Sequence, residues 1–145
     1  MKRSLLAALA LLPVLSAGMA SAEEKPSLVT VLTAPEPQTQ LMAMVLSMQS
    51  IQQGAAVRIL LCGPAGDLAL KDAPASATAP QQPRGMSPQG LMQRIIETGA
   101  AVEVCAIYLP NKGVGQEALV DGVTAARPPE MASHLLAEDT RLLTF

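Results

Sequence analysis

Three apolar runs most constrain how this chain can fold. Leu28-Val29-Thr30-Val31-Leu32, Val57-Arg58-Ile59-Leu60-Leu61-Cys62 and Ala101 through Tyr108 are rich in aliphatic and β-branched residues and read as strands. The first hardly alternates with polar residues, so it reads as buried on both faces, the habit of a parallel sheet covered by helices. The intervening segments are helical in pattern. Pro35 and Pro37 open a helix to about Gln53, with Leu41, Met44, Val45, Met48 and Ile51 on one face and Gly54 as its cap. Ser87-Pro88 starts another, with Ser as N-cap and Pro in the first turn; Leu91, Met92, Ile95 and Ile96 point inward and Gly99 ends it.

The later chain keeps the rhythm in shorter pieces. A Pro110-Asn111-Lys112-Gly113 turn follows the third strand, then a short helix near Gln116–Val120 and a short strand at Val123-Thr124. Pro128-Pro129 begins a helix to about Glu138, and Arg141 through Phe145 reads as a final strand. The expected class is α/β, with a mostly parallel sheet of about five strands and helices on both faces. Asp72 to Pro88 has no apolar periodicity and several prolines, so it reads as a surface loop, mobile or acting as a lid.

The N-terminus points to export. Lys2 and Arg3 precede an apolar stretch from Leu5 to Leu15, and Ala20-Ser21-Ala22 offers small residues for cleavage before Glu23-Glu24-Lys25. A run of about eleven residues is too short to span a bilayer, which takes about twenty. Residues 1–22 are therefore expected to be a signal peptide, residues 23–145 a single periplasmic domain, and the mature form to have no membrane span. The formal net charge of −2 becomes about −4 once Lys2 and Arg3 are removed, which argues against a nucleic-acid partner. Tyr108 and Phe145 are the sole aromatics, so the core must be aliphatic with methionine filling gaps.

Ligands of open parallel sheets gather beyond the carboxyl ends of the strands. Cys62 ends the second run and Cys105 lies in the third, with Lys112 seven residues later as a cation able to favour a thiolate. Spacing leaves three states open: a Cys62–Cys105 disulfide, a free reactive Cys105, or two inert buried thiols. Other residues carry less. Met42, Met44 and Met48 raise the idea of a Cu(I) site, but at about 100° per residue Met42 points away from the other two, and core packing is the simpler role. His134 has no partner at metal spacing and completes no Ser-His-Asp set. Gly63-Pro64-Ala65-Gly66 lacks the length and the lysine of a phosphate-binding loop. No cofactor or metal is expected.

From Leu28 to Phe145 the order of the parts resembles the DsrE/DsrF-like family of small sulfur-relay proteins. The likeness is carried by a first strand running into Leu41-Met42-Ala43-Met44, and by Gly99-Ala100-Ala101-Val102-Glu103-Val104-Cys105. It continues with the Lys112-Gly113 pair after an apolar run, the Val120 to Val123 strand entry, the Pro128-led helix and the hydrophobic last strand. The resemblance implies a three-layer α/β sandwich that assembles as an oligomer, here expected to be a homo-oligomer. It also implies that Cys105 accepts sulfur as a persulfide from a donor protein and passes it to an acceptor, with Lys112 stabilising the thiolate. Three features depart from the relay pattern: Lys-Gly stands where Arg-Gly is usual, the Asp72–Pro88 loop is proline-rich, and the leader directs the chain out of the cytoplasm. A non-catalytic binding or assembly module on the same fold is the alternative, and periplasmic Cu(I) binding ranks third.

Overall fold

The computed structural model describes residues 25–145; the expected signal peptide lies outside them. Five strands form one sheet in the order β4-β3-β2-β1-β5, every pairing parallel. They are β1 Ser27–Leu32, β2 Ala56–Leu61, β3 Ala101–Val104, β4 Val123–Ala125 and β5 Thr140–Thr144. The helices are α1 Pro37–Gln52, α2 Ala75–Thr78, α3 Pro88–Glu97, α4 Tyr108–Lys112 and α5 Pro128–Leu136, with 3-10 turns at Gly63–Ala69 and Gln116–Ala118. None is long and apolar enough to cross a membrane. The α/β class and the five-stranded parallel sheet agree with the sequence reading.

The two faces of the sheet are unequally covered. α1 and α3 pack side by side over one face, against Leu32, Ile59, Leu61, Val102 and Val104, which are all but inaccessible. On the other face α5 contributes Met131 to a small cluster with Val29 and Ala126, flanked by Val31 and Leu60. Beyond that cluster the second face turns polar, and an Arg58–Glu103 ion pair bridges β2 and β3. The alternation in β2 and β3 follows from that thin cover: among the described residues one nine-residue helix, α5, packs on that side.

Local chemistry explains the element ends. The Ser87 hydroxyl accepts a hydrogen bond from the Gly90 amide at 3.1 Å, the N-cap expected for α3. Three details differ from expectation. β3 ends at Val104, and Tyr108–Lys112 forms α4 where a strand end and a turn were expected. Pro110 fits there because the first turn of a helix needs no amide donor, and Gly113 closes it in the left-handed conformation (φ 74°). The second concerns α1: of the expected stripe Met44 is fully buried, together with Gln40, Ala43 and Ser47, while Leu41, Val45, Met48 and Ile51 are half-buried against the core. Two of the buried residues are polar and satisfied: Gln40 donates to the Ala34 carbonyl at 2.8 Å, and Ser47 and Thr30 hydroxyls pair at 3.0 Å. The third is the Asp72–Pro88 segment, which is not a featureless loop. It holds α2, buries Ala77, and pinches together at a Gln81–Met86 bridge.

Candidate functional site

Register brings the two cysteines together. β2 and β3 pair with Leu61 opposite Val104, so the next residue on each chain, Cys62 and Cys105, emerges at the carboxyl end beside the other. Backbone bonds hold both: the Cys105 amide donates to the Leu61 carbonyl at 2.8 Å, and the Cys62 amide to the Leu32 carbonyl at 2.9 Å. Their Cα atoms stand 5.1 Å apart, within the span a disulfide bridges, and the two sulfurs are bonded. Of the three states left open by the sequence, the disulfide is the one present, and no free cysteine remains among the described residues. Both cysteines are half-buried, Cys105 against the main core.

Lys112 is directed elsewhere than expected. Its ammonium donates to Asp67 Oδ1 at 2.7 Å, and the Tyr108 hydroxyl donates to the same oxygen. Asp67 comes from the 3-10 turn that follows Cys62, and Tyr108 from the start of α4 just after Cys105, where its amide donates to the Cys105 carbonyl at 2.8 Å. The triad thus ties together the two segments that leave the disulfide. Burial pulls the Asp67 pKa upward, but the hydrogen bonds from Lys112 and Tyr108 and the Lys112 charge outweigh it. The carboxyl titrates below its ordinary value. Burial first, and then the Asp67 carboxylate, push the Tyr108 phenol above its ordinary range.

Gly66 makes this arrangement possible. A Cβ at that position would run into the Tyr108 ring, so the ring lies directly on the glycine backbone. Sequence reasoning had Cys62, Cys105 and Lys112 but missed Asp67 and Tyr108. The available signal was one carboxylate inside the otherwise apolar Gly63-to-Leu70 segment. His134 stays apart on α5, and no group of His, Cys, Asp or Glu among the described residues is arranged to hold a metal.

No family profile and no curated protein matches the chain by sequence. Solved structures do match. The chain superposes on the YchN protein from E. coli with a TM-score of 0.65 at 20% identity, covering 84% of this chain and all of that one. A protein of unknown function from Methanobacterium thermoautotrophicum, MTH1491, aligns with a TM-score of 0.60 at 9% identity, over the same share of this chain and all of its own. The fold is DsrE-like. At these identities the likeness extends to the DsrE-like architecture and stops there. On that architecture the chain sets a cysteine pair at the carboxyl ends of two neighbouring strands.

Proposed function

We propose that the chain is an exported DsrE-like sulfur carrier in which Cys105 bears the transferred sulfur and Cys62 is its resolving partner. The observation that supports this most is the pairing of Cys62 with Cys105 at adjacent strand ends, half-buried and not sealed in the core. In the oxidised form, hydrosulfide attacks the Cys105 sulfur. A new S–S bond forms there, the Cys62–Cys105 bond breaks, and its electron pair leaves on Cys62 as a thiolate. The product is a Cys105 persulfide. Attack by Cys62 on the Cys105 sulfur reverses the step and releases hydrosulfide. Alternatively, an acceptor thiolate takes the outer sulfur, and the electron pair of the broken bond stays on Cys105. The dithiol left behind reloads when the Cys105 thiolate takes the outer sulfur of a donor persulfide and the donor departs as its thiolate.

Lys112 and Asp67 have a positioning part in this scheme. The Lys112 charge is compensated by Asp67 in the oxidised form. Movement of α4 would free that charge for a thiolate at Cys105. Cleavage after Ala22 and periplasmic location belong to the same reading, as does homo-oligomeric assembly. The leader-like residues 1–22 support the first two, and the exposed Leu136, with Leu142 on edge strand β5, supports the third.

A second reading is favoured by the same bond. If the disulfide is only a staple, the chain is a binding or assembly module without sulfur chemistry. Sulfide treatment of the native protein followed by mass spectrometry separates the two. The carrier gains one sulfur on Cys105 and exposes one alkylatable thiol at Cys62, while Cys105→Ser gains none. A bond that resists sulfide until the protein is unfolded makes the module the correct reading.

A further inference from the structure

Away from the cysteines, α1 and α3 leave a groove of about 830 Å³ between them, closed on one side by the 81–86 segment. Its floor is apolar, formed by Leu41, Met42, Val45, Met48, Met86 and Leu91. Apart from Met42, its α1 residues are half-buried, touching the core on one side and the groove on the other. Lining residues run from Gln38 to Gln52, nearly the whole helix, or about 20 Å at a rise of about 1.5 Å per residue. Met42 remains 50% exposed there.

The charges of the groove are one-sided. Arg84 and Arg94 line it, glutamines supply its other polar edges, and none of its lining residues is an acid. Neither arginine has a carboxylate within ion-pairing distance among the described residues; Arg94 reaches the Met86 sulfur at 3.9 Å. Both cations lie on the wall made by α3 and the 81–86 segment, opposite the α1 stripe.

We propose that this groove binds a single-chain amphiphile with an anionic head of the carboxylate class, its tail along α1 and its head at Arg84 and Arg94. The volume lies within the range of small-molecule sites, about 300–1,000 Å³. Flexible thioethers suit a tail of no fixed shape. A second copy of the chain is a poor occupant: a twofold contact sets the patch against itself, and this patch would meet cations with cations and no acid. The site is separate from the proposed sulfur chemistry, as neither cysteine lines it.

The test is calorimetric titration of the purified, oxidised protein with decanoate, decanol and decyltrimethylammonium, each below its micelle-forming concentration. Decanoate should bind saturably at one per chain, and at least about fivefold more tightly than the cationic analogue. The Arg84→Gln/Arg94→Gln double variant should lose the preference for decanoate over decanol. Met42→Glu, at a half-exposed position that folding tolerates, should abolish binding of decanoate. Equal affinity for the cationic analogue, or decanoate binding untouched by Met42→Glu, would overturn the proposal. So would failure to bind by a protein that sediments as a dimer and becomes a monomer on Met42→Glu, which assigns the groove to a second copy.

Discussion

Lys112 and Tyr108 donate to the same oxygen of Asp67, so one carboxylate anchors both ends of α4 to the turn that follows Cys62. Because the folded-state pKa of Asp67 is depressed, its stabilising effect is present above the unfolded carboxylate value near 3.9 and is lost as pH falls through the lower folded value. Wild type should therefore exceed Asp67→Asn in stability by about 1 kcal/mol at pH 7, and the gap should close as pH falls below the ordinary carboxylate range. Urea unfolding of both proteins across that range measures it. A gap that persists at low pH would exclude the titration of Asp67 as its source.

Gly66→Ala tests the contact beneath that carboxylate. The added methyl needs the space of the Tyr108 ring, so the variant should lose about 1–3 kcal/mol and shift the tyrosine absorption toward that of an exposed phenol. In a Tyr108→Ala background, where that space is vacated, Gly66→Ala should cost less than it does beside the intact ring. If the two losses simply add, the ring and the glycine do not touch in solution.

How much of this was legible beforehand varies with how local the cause is. β1, the Ser87-Pro88 cap and α3 depend on neighbouring residues and could be read directly. Tyr108 was read as strand because Val104 through Leu109 is almost unbroken in apolarity. What ends β3 is long-range: its partner β4 offers only three residues of ladder. The α1 stripe marks the inward side only in part, since Met44 is fully buried and Leu41, Val45, Met48 and Ile51 are half-buried against the core. An apolar stripe predicts what a helix buries only when no second apolar wall competes for it, and Gln40 and Ser47 find buried partners that counting hydrophobes does not reveal. Of the candidate site, the cysteines and Lys112 were legible as residue types. Asp67 was not, since its importance comes from a contact 45 residues away along the chain.

Reduction of Cys62–Cys105 should destabilise the protein even where it leaves the fold intact. The bond joins residues 43 apart, which corresponds to about 4 kcal/mol of chain entropy removed from the unfolded state. Denaturant midpoints with and without reductant, and for Cys62→Ser/Cys105→Ser, should fall together. A reduced protein as stable as the oxidised one would indicate strain in the folded state that cancels the entropic gain.

Exposed leucines bear on assembly. Leu136 is 83% and Leu142 58% exposed on the thinly covered side of the sheet, next to the open edge of β5. Sedimentation at micromolar concentration should show a homo-oligomer, and Leu142→Glu should shift it toward monomer without loss of secondary structure. A wild-type protein that sediments only as monomer would remove that part of the functional reading.

The disulfide encloses one wall of the α1–α3 groove and omits the other. Gln81 through Arg94 lie inside the loop closed by Cys62 and Cys105, whereas Gln38 through Gln52 precede it. Cutting the bond therefore lifts a covalent constraint from one jaw of a clamp and none from the other. If that freedom weakens the grip on an occupant, reciprocity makes the cysteines of an occupied protein harder to reduce. Two sites without a shared residue would in this way read each other through the closure of a single loop.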